Sequence, residues 1–182
     1  MAWSCSSTSN AGLVHNLKNS GYVRPRLLRP NLLCRYFSQV VGRTVEEAMT
    51  AVDRKWFVPP EAHAYQDSPQ YIGSNATISA PHMHAHALSS LESKLRPGSR
   101  ALDVGSGSGY LVACMSAMVG PTGLVVGVEH VDKLVKMSLA NMEKAKSVIK
   151  SPYEIHVSDG RLVCYALFPL LIALKPKKNV II

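Results

Sequence analysis

Apolar residues recur at helical spacing at Leu13, Val14 and Leu17, and again at Val45, Ala48, Met49, Val52 and Trp56. The first set predicts a short amphipathic helix ending near Gly21. The second predicts a helix opened by Thr44, with Glu47 three residues on in capping-box relation, and ended by Pro59-Pro60. Ala85–Leu95 predicts another helix, stopped by "RPGS". From there the period changes. "RALDVGSGSG" is a short apolar strand running into a glycine turn, "YLVACMSAMVG" is helical with a small-residue face, and "GLVVGVEH" is a second buried strand. "VDKLVKMSLANMEKAKSVI" places apolar residues at 131, 134, 135, 139, 142 and 149 on a helix whose other face is lysine, and "YEIHVSDG" alternates as a third strand. Strand–helix–strand–helix–strand predicts an α/β, doubly wound parallel sheet, with about three strands encoded behind an N-terminal helical extension. The chain thus divides into a helical region over 1–96, a sheet core over 97–161 and a divergent tail over 162–182.

Length and composition narrow the class. At 182 residues there is room for one domain with a real core, and 47% hydrophobic against 18% charged describes an ordinary soluble globular protein. The net charge of +8 suggests an anionic partner until its distribution is considered. Arg24, Arg26, Arg29, Arg35 and Arg43 fall in one acid-free stretch, and Lys175, Lys177 and Lys178 in another. Without those eight the chain is neutral, so nucleic acid is not an expected partner. The segment Arg24–Thr44, with two prolines and no sustained period, reads as an inserted loop. Cys5, Cys34, Cys114 and Cys164 are scattered without a C-x-x-C pair, which favours free thiols in a reducing compartment. "MAWSCSSTSN" lacks a secretory layout, and the strongest apolar run, Leu162–Leu174, is 13 residues with Pro169 inside it. The expectation is a cytoplasmic monomer without a membrane partner.

The glycine turn holds Gly105, Gly107 and Gly109 in G-x-G-x-G spacing, one residue short of the dinucleotide fingerprint, since position 110 is tyrosine. Glu129 closes the next strand 24 residues beyond Gly105, and Asp159-Gly160 closes the third. Ligands of open α/β sheets sit at the carboxyl ends of strands, and a carboxylate there can accept hydrogen bonds from two ribose hydroxyls. These three strand ends suit a nucleoside without phosphate chemistry. A second cluster, "NATISAPHMHAHAL", sets Ser79 beside His82, His84 and His86. On a strand the histidines would share a face and could hold a metal. Pro81 instead favours a helix start, where residues two apart diverge, so no metal is expected. A serine-hydrolase elbow needs glycines that "ATISAPH" lacks. Read from local pattern alone, Ser79 is a turn or N-cap residue.

"ALDVGSGSGYL", "GVEH" and "SDGR" are similar to the cofactor motifs of S-adenosylmethionine-dependent methyltransferases. "VEEAMTAVDRKWFVP", "AYQDSPQYIGSNATISAPHMHAHAL" and "LRPGSRALDVGSGSGYLVAC" together resemble the protein-L-isoaspartate (D-aspartate) O-methyltransferase family over Leu13–Val23 and Val45–Arg161. The resemblance implies a Rossmann-like methyltransferase fold and S-adenosyl-L-methionine as cofactor. It also implies methylation of the α-carboxyl of L-isoaspartyl or D-aspartyl residues in damaged proteins and peptides. The ester then cyclises to a succinimide that hydrolyses partly to aspartate. By motif, Ser79 is implied at the reacting centre. Ala76, Thr77, Ile78, Ser79 and His84 are implied to enclose the cofactor with Gly105, Gly107, Ser108, Glu129, Asp159 and Gly160. The family pattern departs at two places: the stretch Arg24–Thr44 intervenes, and the match stops at Arg161, beyond which the central strand would lack a partner on one side. The tail either covers that edge as an improvised strand or, as its change of character favours, is an alternative terminus. The second departure admits another reading, a truncated form that binds cofactor or a protein without catalysis.

Overall fold

A computed structural model describes residues 5–23, 44–162 and 179–181. Most of Arg24–Thr44 and most of the tail therefore lie outside the described residues. The N-terminal helix α1 (Asn10–Asn19) is capped by Ser9, whose side chain accepts from the Gly12 amide, and it buries Leu13, Val14 and Leu17. Helix α2 (Val45–Ala51) carries the expected capping box: the Glu47 amide donates to Thr44 Oγ1 at 3.2 Å, and the Thr44 amide to Glu47 Oε2 at 2.9 Å.

That second helix is shorter than its pattern predicts. It ends at Ala51, and Arg54–Phe57 forms a separate 3-10 turn capped by Asp53. The buried Asn10 of α1 explains the break. Its Nδ2 donates to the carbonyls of Met49 and Thr50 at 2.9 and 3.0 Å, and its Oδ1 accepts from the Arg54 amide at 3.4 Å. The side chain replaces the helical bonds of the next turn, so the pattern runs on while the helix does not.

A hairpin unexpected from the sequence follows. Strands β1 (Gln70–Gly73) and β2 (Ala76–Ile78) pair antiparallel, and Ser74 and Asn75 both take positive φ (53° and 57°), as a tight two-residue connection requires. Helix α3 (Pro81–Leu91) starts four residues earlier than Ala85, with Pro81 in its first turn. Its N-cap, Ala80, makes no side-chain bond; Asp67 Oδ1 accepts from the His82 amide at 3.0 Å instead.

The main sheet contains β3 (Arg100–Val104), β4 (Leu124–Glu129) and β5 (Tyr153–Val157), all parallel, as predicted. Of the two readings of the tail, the less favoured one, an added strand on the edge of β3, is the one observed. The backbone of a short fourth strand, β6 (Asn179–Ile181), pairs parallel with Arg100–Leu102, giving the order β5-β4-β3-β6. Helix α4 (Tyr110–Val119) packs against α2 and β4 and is buried almost all round. Helix α5 (Asp132–Lys144) buries Leu134, Val135, Ser138, Asn141 and Met142; Leu139, read from sequence as part of that face, is exposed. It falls off the stripe centred on Ser138. One apolar cluster joins the N-terminal helices to α4 and the sheet, so the extension and the sheet share a core.

Candidate functional site

The site lies where the N-terminal block meets the carboxyl end of β3. There the chain turns through Gly105, Gly107 and Gly109, all at positive φ (85°, 50° and 86°). The amides of Gly105 and Ser106 donate to the Val128 carbonyl at 2.7 and 3.0 Å, fastening the turn to β4. At Gly109 a Cβ would come within 2.9 Å of Ser138 Oγ, so α4 and α5 meet there only because the side chain is missing. Glu129, nearly buried at the end of β4, accepts from the amides of His130 at 2.8 Å, Val131 at 3.1 Å and Gly107 at 3.1 Å. A carboxylate holding three backbone donors fixes the shape of the rim.

Two adjoining hollows meet at Gly105. The first, about 90 Å³, is lined by Thr77, Ile78, Ser79 and His84 from one side and by the glycine turn from the other. The second, about 390 Å³, runs between the ends of β3, β4 and β5 past Asp159 and Gly160. Of the residues predicted from sequence, Thr77, Ile78, Ser79, His84, Gly105, Gly107 and Ser108 come together at the first hollow. Asp159 and Gly160 lie at the second. Ala76 sits back on β2, and Glu129 lies behind the turn, joined to it through the Gly107 amide. Asp159 is held by Arg161, whose amide donates to Oδ1 at 2.9 Å and whose Nε reaches both oxygens at 3.0 Å. That contact draws the Asp159 carboxyl down to about 2.

The three histidines diverge as helical spacing requires. His82 Nδ1 pairs with the fully buried Asp67 at 2.9 Å, His86 is exposed, and His84 turns inward. Among the described residues no cluster of three potential metal ligands occurs. The His84 ring lies 4.9 Å from the Tyr110 ring, and its Nδ1 is 3.1 Å from Arg54 Nη1. Arg54 Nη2 donates to the Ser79 carbonyl at 2.7 Å, and the guanidinium stands 5.6 Å from the Tyr110 ring centroid. Arg54 is fully buried. Burial pulls its guanidinium down to about 10, so it stays charged at neutral pH, at a desolvation cost on the order of several kcal/mol. His84 is pushed well below 6.5, by burial first and then by the Arg54 charge.

Asp103, at the end of β3, is the other buried charge candidate. Burial, reinforced by the charge of Glu129, raises its carboxyl to about 7. It lines the first hollow alongside Ser106, whose buried hydroxyl lacks a partner among the described residues. Sequence reading singled out none of Arg54, Asp103, Ser106 and Tyr110. Asp103 carried a usable signal, an acid interrupting the apolar strand just ahead of the glycines. Arg54 carried none, because an arginine between the apolar positions of an amphipathic run reads as part of its solvated face.

The family model for protein-L-isoaspartate(D-aspartate) O-methyltransferase matches residues 31–169. It takes in much of the stretch read as an insertion and passes beyond Arg161. A protein-L-isoaspartate O-methyltransferase of Arabidopsis thaliana is 47% identical over 158 residues, covering 85% of this chain and 46% of its own length. One of Triticum aestivum is 52% identical, covering 75% of this chain and 62% of its own. The chain thus spans about half to under two-thirds of these relatives. Among solved structures, a Plasmodium falciparum chain described as a protein-L-isoaspartate O-methyltransferase in complex with S-adenosyl-L-homocysteine superimposes with a TM-score of 0.70 at 34% identity. The overlap covers 86% of this chain and 66% of that one.

Proposed function

The chain belongs to the protein-L-isoaspartate(D-aspartate) O-methyltransferase family, and from that premise we propose that it methylates the α-carboxyl of isoaspartyl residues with S-adenosyl-L-methionine. The observation that carries the reading is the convergence of Ser79 and His84 with the glycine turn on one hollow, continuous through Gly105 with the rim at Asp159-Gly160. A cationic, adenosyl-bearing ligand fits the groups present. Asp103 is a buried carboxyl with no hydrogen-bond partner among the described residues, open to the hollow, and it would meet positive charge there. The glycine turn leaves backbone rather than side chains along the rim, and Asp159-Gly160 would hold the nucleoside end.

When bound, adenosylmethionine supplies an electrophilic methyl group on a sulfonium. A carboxylate acceptor is already ionised at neutral pH, so this site needs no general base. The task of the residues is positional, and alignment with exclusion of water can be worth roughly 7–11 kcal/mol in ideal cases. Ser79, exposed at the mouth of the hollow, is suited to orient the acceptor carboxylate by a hydroxyl hydrogen bond. His84 and Tyr110 wall the interior. The remaining parts of the reading are a monomer acting on L-isoaspartyl and D-aspartyl proteins in a cytoplasmic compartment, for which the buried, unpaired Cys5 and Cys114 suit a reducing milieu. Transfer of labelled methyl to an isoaspartyl peptide and not to its aspartyl counterpart tests the proposal. Equal labelling of both, or of neither, would overturn it.

A further inference from the structure

Arg54 sits in the protein interior, on the 3-10 turn that Asn10 detaches from α2. Among the described residues it has no carboxylate within ion-pair distance, and its buried Nε has no partner. A guanidinium so placed is an expensive choice for packing. Its two terminal nitrogens are used on two groups of the proposed site, the Ser79 carbonyl and His84 Nδ1. Arginine is a donor only, so Nδ1 must be the unprotonated nitrogen, and the ring's proton then resides on Nε2. Nε2 has no protein partner among the described residues and is not sealed from the hollow that His84 lines.

Resting on the methyltransferase reading, we infer that Arg54 is a positioning residue. It locks His84 in the Nε2–H tautomer and ties that ring to the Ser79 backbone, so that the hollow meets a neutral donor of fixed direction. The consequence is a His84 donor indifferent to pH through the neutral range. The acceptor side must find Ser79 and His84 unchanged whether the surroundings are mildly acidic or alkaline. The titratable and charged groups around the ring are Arg54 on the 3-10 turn, His82 on the same helix, Tyr110 and Cys114 on α4, and Asp103 at the end of β3. Asp67 faces both Arg54 and His82. Of these, Arg54 is the charge that bonds the ring directly.

The test is long-range proton–nitrogen spectroscopy of the imidazoles in the whole chain, with His84→Gln used to assign its signals. Wild type is expected to show an unprotonated Nδ1 and a protonated Nε2 for His84 at neutral pH. In Arg54→Met the ring is expected to mix tautomers, while Arg54→Lys restores part of the lock. Methyl transfer in Arg54→Met should fall about a hundredfold in kcat, as for a misplaced reacting geometry. A protonated Nδ1 in folded wild-type protein, which requires no variant, overturns the inference. So does an unaltered His84 tautomer in a folded Arg54→Met. Absence of methyl transfer by wild type with the Nε2–H tautomer intact counts against the methyltransferase reading instead and leaves the lock standing.

Discussion

Asp103→Asn gives a sharp test of how the carboxyl end of β3 is built. The wild-type carboxyl stands at about 7 against an ordinary 3.8, because burial disfavours its charged form and Glu129 adds like charge. That displacement corresponds to about 4 kcal/mol of preference for the neutral acid. Its sign follows from proton binding. Between about pH 4 and pH 7 the folded chain holds a proton on Asp103 that the unfolded chain has released, so raising the pH through this window removes stability from the native state. Above about 7 both states are ionised and the loss is complete. The asparagine variant carries no such proton. Urea unfolding of both proteins at pH 4, 5, 6, 7 and 8 should therefore show the variant gaining on wild type with each step up to pH 7, by up to ~4 kcal/mol across the window, with the gap constant beyond. Parallel stability profiles would refute the assignment of a raised, unpartnered carboxyl at this position. A gap widening toward acid would refute its sign.

Other perturbations test other links. Ser79→Ala should lower methyl transfer roughly tenfold to a hundredfold, the worth of a hydrogen bond to a charged group at about 1.5–3 kcal/mol. Calorimetry with S-adenosyl-L-homocysteine should show nearly unchanged affinity; equal losses in both would make Ser79 a cofactor residue only. Thr44→Ala removes one half of the capping box and should cost about 1 kcal/mol in urea unfolding, with activity at saturating substrate retained. Gly109→Ala forces a left-handed residue and a clash with Ser138. It should cost at least about 1–2 kcal/mol and weaken S-adenosyl-L-homocysteine binding, and a variant as stable as wild type would remove the argument for α4–α5 contact through that glycine.

The sheet core was legible because its signals are local. β3, β4 and β5 are buried apolar runs, the helices between them keep a 3.6-residue period, and the glycine turn marks their junction. The misses arise where a distant residue decides. Asn10 ends α2 early by taking two of its carbonyls from 39 and 40 residues away, which no window over Val45–Trp56 contains. Asp67 starts α3 from 15 residues upstream, where the sequence offers only Ala80 as a cap. The hairpin β1–β2 is too short to show alternation, and β6 is a three-residue strand added from a tail without periodicity. At the site, the glycines, Ser79 and His84 announced themselves through motif. Arg54 did not, since its meaning lies in being buried beside His84.

The most direct measurement is a crystal structure of the chain grown with S-adenosyl-L-homocysteine. The account predicts the nucleoside along the rim at Asp159-Gly160, the chain of the ligand passing Gly105 and Gly107, and its sulfur opening toward the Ser79 hydroxyl. A ligand bound elsewhere, or a sulfur walled off from Ser79 by Tyr110 and His84, would contradict it.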